Sequence, residues 1–137
     1  MITQGLCNSY KAEILTGVHT AADVYKLALF TSAANLSPAT TAYAVDGETS
    51  GDGYTAGGVE LTGFAVSLDG SVAVLDFNDA EWLESTITAR GALIYNSSKA
   101  NKAVAVFDFG SDITSVNGPF NAPMPEPTAT TGAIRIK

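Results

Sequence analysis

Residues Ser85 to Phe109 read STITARGALIYNSSKANKAVAVFDF, two apolar runs, Thr86–Tyr95 and Ala103–Phe109, joined by the polar turn Asn96–Lys102. β-branched and aromatic residues fill both runs, the signature of adjacent antiparallel strands. With Tyr95 set opposite Ala103, Leu93 faces Ala105, Gly91 faces Phe107 and Ala89 faces Phe109. Small residues then lie across from the two Phe rings and leave them room to pack. Both faces of this pair are apolar, so it is expected at the centre of a sandwich, covered on both sides.

Working outward, Asp69-Gly70 separates Phe64–Leu68 from Ser71–Phe77, and Asp-Gly between alternating runs predicts a type I′ hairpin. With Leu68 opposite Ser71, the residues Phe64, Val66, Leu68, Leu75 and Phe77 share one face. Asp23–Thr31 is a further strand. Leu6, Tyr10 and Ile14, with Leu15 beside them and Gly17 as a stop, predict a short amphipathic helix from about Gln4 to Thr16. His19, in the link that follows, is expected to be solvated. Asn78–Glu84 places Trp82 at a corner, sealing the edge of the core. Gly110–Asn117 reads as a loop, and Gly118–Pro127, with four of the five prolines, as an extended edge or strap. Ala133–Lys137 closes the chain as an edge strand.

Ser32–Gly58 breaks the pattern. Ser37-Pro38 is placed to start one helical turn through Ala44. A long irregular segment inside a domain is usually functional or docked on a neighbour. The expected architecture is a single domain over residues 1–137: an all-β antiparallel sandwich of seven or eight strands, a jelly-roll being one form, with one N-terminal helix.

Composition narrows the function. The chain of 137 residues is 46% hydrophobic and carries 14 acidic against 7 basic residues, net −7. That charge repels phosphate backbones and anionic lipid, so neither nucleic acid nor membrane is an expected partner. No apolar run reaches the roughly 20 residues of a membrane helix, and Met1–Ser9 lacks the features of a secretory signal. Asn35-Leu36-Ser37 and Asn96-Ser97-Ser98 are glycosylation sequons that carry no meaning without a secretory route. Cys7, the one cysteine, reads as a small buried hydrophobe.

Candidate chemistry is sparse. Gly51-Asp52-Gly53-Tyr54-Thr55-Ala56 matches GxGxxA, but acidic residues precede it and glycines follow it. Turn geometry or close backbone approach accounts for those glycines better than phosphate binding. Asp46, Glu48 and Asp52 could offer oxygens to Ca²⁺, although not at EF-hand spacing, and a solvated acidic loop is the plainer reading. Asp76, Asp79 and Glu81 are a weak carboxylate set for glycoside hydrolysis. There is no GxSxG elbow, and one Cys with one His is too few for a structural zinc. No cofactor and no catalytic residue is expected; the chain does not read as an enzyme.

The blocks QGLCNSYKAEILTGVH (4–19), YKLALFTSAANL (25–36), GETSGDGYTAGG (47–58), TITARGALIYNSSKANKAVAVFDFG (86–110) and IRIK (134–137) occur in this order. Together they resemble a family of small structural proteins of tailed bacteriophage virions, most specifically in the ETSGDGYTAGG and ARGALIYN blocks. The resemblance implies a head decoration or cement protein: made in the bacterial cytosol, seated on the phage head, contacting the major capsid protein and copies of itself as dimer or trimer. It brings no catalytic residues. Tyr43 and Tyr54 in the long loop, and Phe120 and Met124 in the Pro-rich strap, are the natural contact residues, since aromatics and Met are enriched at interface cores. The alternative is a tail or appendage structural protein, a glycan-binding one being one form, which would need exposed aromatic platforms on its loops.

Overall fold

A computed structural model describes residues 1–122 and 134–136. The quoted stretch lies within a longer hairpin, β6 (Glu81–Asn96) and β7 (Lys102–Asn121). Its turn is closed by positive φ at Ala100 and Asn101. Tyr95 pairs with Ala103 as the sequence predicts, but the register then slips by one. Ile94 faces Ala105, Leu93 faces Val106, Ala92 faces Phe107 and Gly91 faces Asp108. The slip leaves Val104 as an extra residue, and its carbonyl accepts the Cys7 N–H at 2.9 Å. A small residue still faces Phe107, though it is Ala92. A Cβ on Gly91 would stand 2.4 Å from the Phe107 carbonyl and 2.9 Å from Ile2 Cδ1.

The expected loop Gly110–Asn117 is strand instead. Between the pairs Gly91–Asp108 and Ala89–Ile113, four residues of β7 oppose the single Arg90 of β6. Gly110, at φ +85°, supplies the bend, and Asp108 Oδ1 accepts both Arg90 Nε–H and Gly110 N–H at 2.9 Å. A bulge of this kind keeps the strand going while turning it.

β2 (Tyr25–Phe30) pairs along β6 from Tyr25–Asn96 to Phe30–Gly91. Every β2 residue but Lys26 is buried, as a strand covered on both faces requires. Short strands flank this group: β1 (Gly5–Leu6) on β7 and β3 (Val59–Glu60) on β2, giving the order β1-β7-β6-β2-β3. The helix α1 (Asn8–Leu15) is shorter than its predicted span because Gly5–Leu6 pairs as β1. Tyr10 is buried and Ile14 partly so, but Leu15 is 86% exposed. One residue past Ile14 it lies about 100° off the Leu6–Tyr10–Ile14 stripe. The helix closes on Gly17 at φ +75°, with Val18 N–H on the Glu13 carbonyl and Gly17 N–H on that of Ile14, a Schellman ending.

A second antiparallel sheet has the order β4-β5-β8, from β4 (Ala65–Asp69), β5 (Val72–Asp76) and β8 (Ile134–Ile136). Leu68 faces Ala73 and Asp69 faces Val72, so the turn is Gly70-Ser71, one step beyond the predicted Asp69-Gly70. Only Gly70 of these two has positive φ, the pattern of type II′ rather than I′. The slip is by an even number, so the predicted face survives. The Phe64 and Phe77 rings dock that face on Tyr25, each with centroids 5.6 Å from its ring. The fold is therefore all-β and sandwich-like, with strands divided five and three between its sheets.

Candidate functional site

The Ser32–Gly58 segment is docked on the chain's own broad sheet. Pro38-Ala39 forms a single turn held by Ser37 and Thr40 hydroxyls, not a helix reaching Ala44. Beyond it, Thr31 N–H donates to the Gly47 carbonyl, Thr49 N–H to the Leu29 carbonyl and Thr86 N–H to the Asp52 carbonyl, each at 2.9 Å. The segment thus follows the edge of β2 and then takes its place beside β6. Its glycines allow this. A Cβ on Gly58 would lie 1.9 Å from the Leu27 carbonyl oxygen, and one on Gly53 2.0 Å from that of Glu84. The GxGxxA match is explained by backbone approach.

Glu48 organises the loop. Tyr43 O–H donates to its Oε1 at 2.6 Å, Tyr54 O–H to its Oε2 at 2.6 Å, and Gly57 N–H to the same Oε2 at 2.8 Å. The Tyr54 hydroxyl also accepts Leu29 N–H at 2.9 Å. Tyr95 O–H donates to the Gly57 carbonyl, and its ring stacks on Tyr43 at 4.6 Å. Burial, then the hydrogen bonds to Glu48, push both the Tyr43 and Tyr54 phenols well above the ordinary range. Two of the expected contact residues therefore come together, but their hydroxyls are turned inward.

Phe120 is 2% exposed, packed edge-on against Trp82 at 6.0 Å and near Phe109 at 6.5 Å. Its ring belongs to the interior end of the long hairpin and offers nothing to solvent. Met124 lies outside the described residues, as does the rest of the strap from Pro123. Among the described residues no group of three or more His, Cys, Asp or Glu side chains could hold a metal ion. Asp46 and Asp52 are exposed, while Glu48 is engaged by the tyrosines.

His19 is not solvated. Its side chain is 1% exposed, with Nε2 2.8 Å from Glu13 Oε1 and Nδ1 3.0 Å from Asn96 Nδ2. The fully buried Asn96 also donates to Asp23 Oδ2 at 2.8 Å, and Lys99 Nζ meets Asp23 Oδ1 at 2.7 Å. The Lys99 bond leads the causes that hold the Asp23 carboxyl well below its usual range. Because the Asn96 amide donates to Nδ1, the imidazole proton sits on Nε2 and points at Glu13. This network ties the helix and its link to the β6–β7 turn. Its members are scattered from residue 13 to 99, and nothing local in the sequence marks them. Cys7 is fully buried, and burial pushes its thiol up to about 11.

Among the described residues, apolar side chains stand exposed at the tip of the small sheet. Rows of apolar side chains cross it: Val66, Leu75 and Ile134, then Leu68, Ala73 and Ile136. Burial falls along the rows, with Ile134 3% exposed but Val66 62%, Leu68 75% and Ile136 44%. Between this face and α1 lies an apolar groove of about 200 Å³, floored by Tyr10, Ile14, Tyr25 and Phe64. The even-numbered β4 residues were legible as one face in the sequence; that α1 stops short of covering it was not. The chain matches no family model, no curated protein and no solved structure.

Proposed function

We propose that this chain is a decoration protein of a tailed-phage head, seated on the assembled shell and holding neighbouring capsid subunits together. The observation that carries the reading is the half-covered apolar face of the β4-β5-β8 sheet. Apolar side chains arranged for burial, yet exposed at Val66, Leu68 and Ile136, mark a surface completed by another protein. The blocks quoted above, with their likeness to virion structural proteins, support a phage head as the assembly. An acidic surface of net −7 suits a chain that must avoid packaged nucleic acid.

The glycan-binding appendage is the weaker reading. It needs aromatic platforms on loops, whereas Tyr43 and Tyr54 are held by Glu48. Cement proteins work by burying interface that exists only in the assembled state, so they stabilise by mass action.

The test is electron cryo-microscopy of the intact particle that carries this chain. Copies over the head lattice, with the β4–β5 hairpin against the major capsid protein, are expected. Density for the chain only at the tail would overturn the reading.

A further inference from the structure

Five strand edges are free or nearly so among the described residues, and four of them are blunted. β1 and β3 are two residues long and β8 three. The outer edge of β7 beyond β1 is interrupted by the bulge opposite Arg90, positive φ at Gly110 and Asn117, and Pro119. β4 has none of these devices. It pairs with β5 over five consecutive residues without a register shift, it contains no Pro or Lys, and all five of its residues are exposed. Folded proteins rarely leave such an edge open.

We propose that the outer edge of β4 pairs with β4 of a second copy of this chain, joining two three-stranded sheets into one of six. The geometry selects a register. Asp69–Val72 closes the two-residue turn as the bonded pair, and bonded and unbonded pairs alternate from there. Ser67 therefore turns its N–H and C=O toward β5, while Val66 and Leu68 turn theirs to the open edge. An antiparallel pairing about a two-fold axis at Ser67 sets Val66 opposite Leu68 of the second copy, and Leu68 opposite its Val66. These are the residues with backbone groups to exchange, and four hydrogen bonds result. Their side chains meet as apolar cross-strand pairs.

Charge permits this occupant despite the net −7. Asp69 falls opposite Ala65 of the second copy, not opposite Asp69. The two Asp69 carboxylates stand four residues apart along the ladder, about 14 Å, beyond a Debye length of about 8 Å at physiological salt. Two-fold pairing is also closed: both free β4 edges are consumed, and no fibre can grow from them. The inference stands whether or not the chain sits on a phage head.

The experiment is sedimentation velocity of the full chain from micromolar to millimolar concentration, with backbone amide exchange read at both ends of the series. A reversible dimer is expected, with the Val66 and Leu68 amides slowing as it forms. Leu68→Pro removes an edge N–H without touching the β5 ladder, and Leu68→Lys adds a charge that edges use to repel partners. Each is expected to weaken the dimer at least tenfold, while Leu83→Lys, at an exposed site on β6, leaves it unchanged. A monomer throughout the range would overturn the proposal. So would a dimer indifferent to both Leu68 variants, or one whose Val66 and Leu68 amides exchange as in the monomer.

Discussion

Past β1, the broad sheet ends in an edge bent by a bulge, by Gly110 and by Pro119, and on its other side the 27-residue loop Ser32–Gly58 is laced over β2 and β6. The small sheet has no such finish: β4 runs unbulged and exposed, and Val66, Leu68 and Ile136 of the sheet's apolar face stay exposed. The broad sheet completes its core from within the chain and blunts its open edges. The small sheet is folded but incomplete. Stability should therefore concentrate in the first region and association in the second, and substitutions can separate the two.

The largest effect is expected from Gly58→Ala. It sets a Cβ against the Leu27 carbonyl at a residue with φ +80°. A loss of about 3–4 kcal/mol or outright unfolding should appear in urea denaturation. Glu48→Ala comes next. It strands the Tyr43 and Tyr54 hydroxyls and the Gly57 amide, so about 2–3 kcal/mol is expected by the same measurement.

Smaller effects follow from pH. The Tyr43 and Tyr54 phenols are raised in the folded state, so their contribution is complete below the unfolded value of about 10 and is lost as pH climbs beyond it. Ultraviolet titration should show part of the tyrosine absorbance change arriving together with unfolding. Asp23 has the opposite sign. Its folded value is depressed, so its contribution is present above about 4 and declines as pH falls further. In Asp23→Asn the acid limb of the thermal melting profile should be shallower. Least affected is Leu68→Ala: on a side chain 75% exposed, it should move monomer stability by less than about 0.5 kcal/mol. A large loss there would mean that the small sheet is completed from within after all.

The strands were legible where alternation is uninterrupted. β2, β4 and β5 lie where their period-two patterns place them, and Tyr95–Ala103 is the pair that starts the long hairpin. Legibility stopped at the bulges. Val104 looks like any other β-branched strand residue, and only the distant Cys7 amide explains why it slips the register. Gly110 punctuates the sequence as a loop would, yet here it bends a continuing strand. The loop glycines could be read as close-approach positions because no side chain fits there in any case. Glu48 and His19 could not be read, since each takes its meaning from partners brought in by the fold. Phe120 carried the composition of a contact residue and proved to be core, because Trp82 lies across from it.

The long separations within the broad sheet also set a timetable. Leu27 is paired with Ile94 and Leu6 with Ala105, whereas β4 meets β5 across two residues. As the chain leaves a ribosome, the apolar run Leu27–Phe30 emerges long before β6 exists to cover it, and β1 waits longer still for β7. The two hairpins can form as soon as they are synthesised, whereas β2 and β1 wait for β6 and β7, and β5 waits for β8. Refolding from denaturant should then be limited by these long closures, in milliseconds to seconds rather than microseconds, with the bare β2 segment as the point where a crowded chain aggregates first.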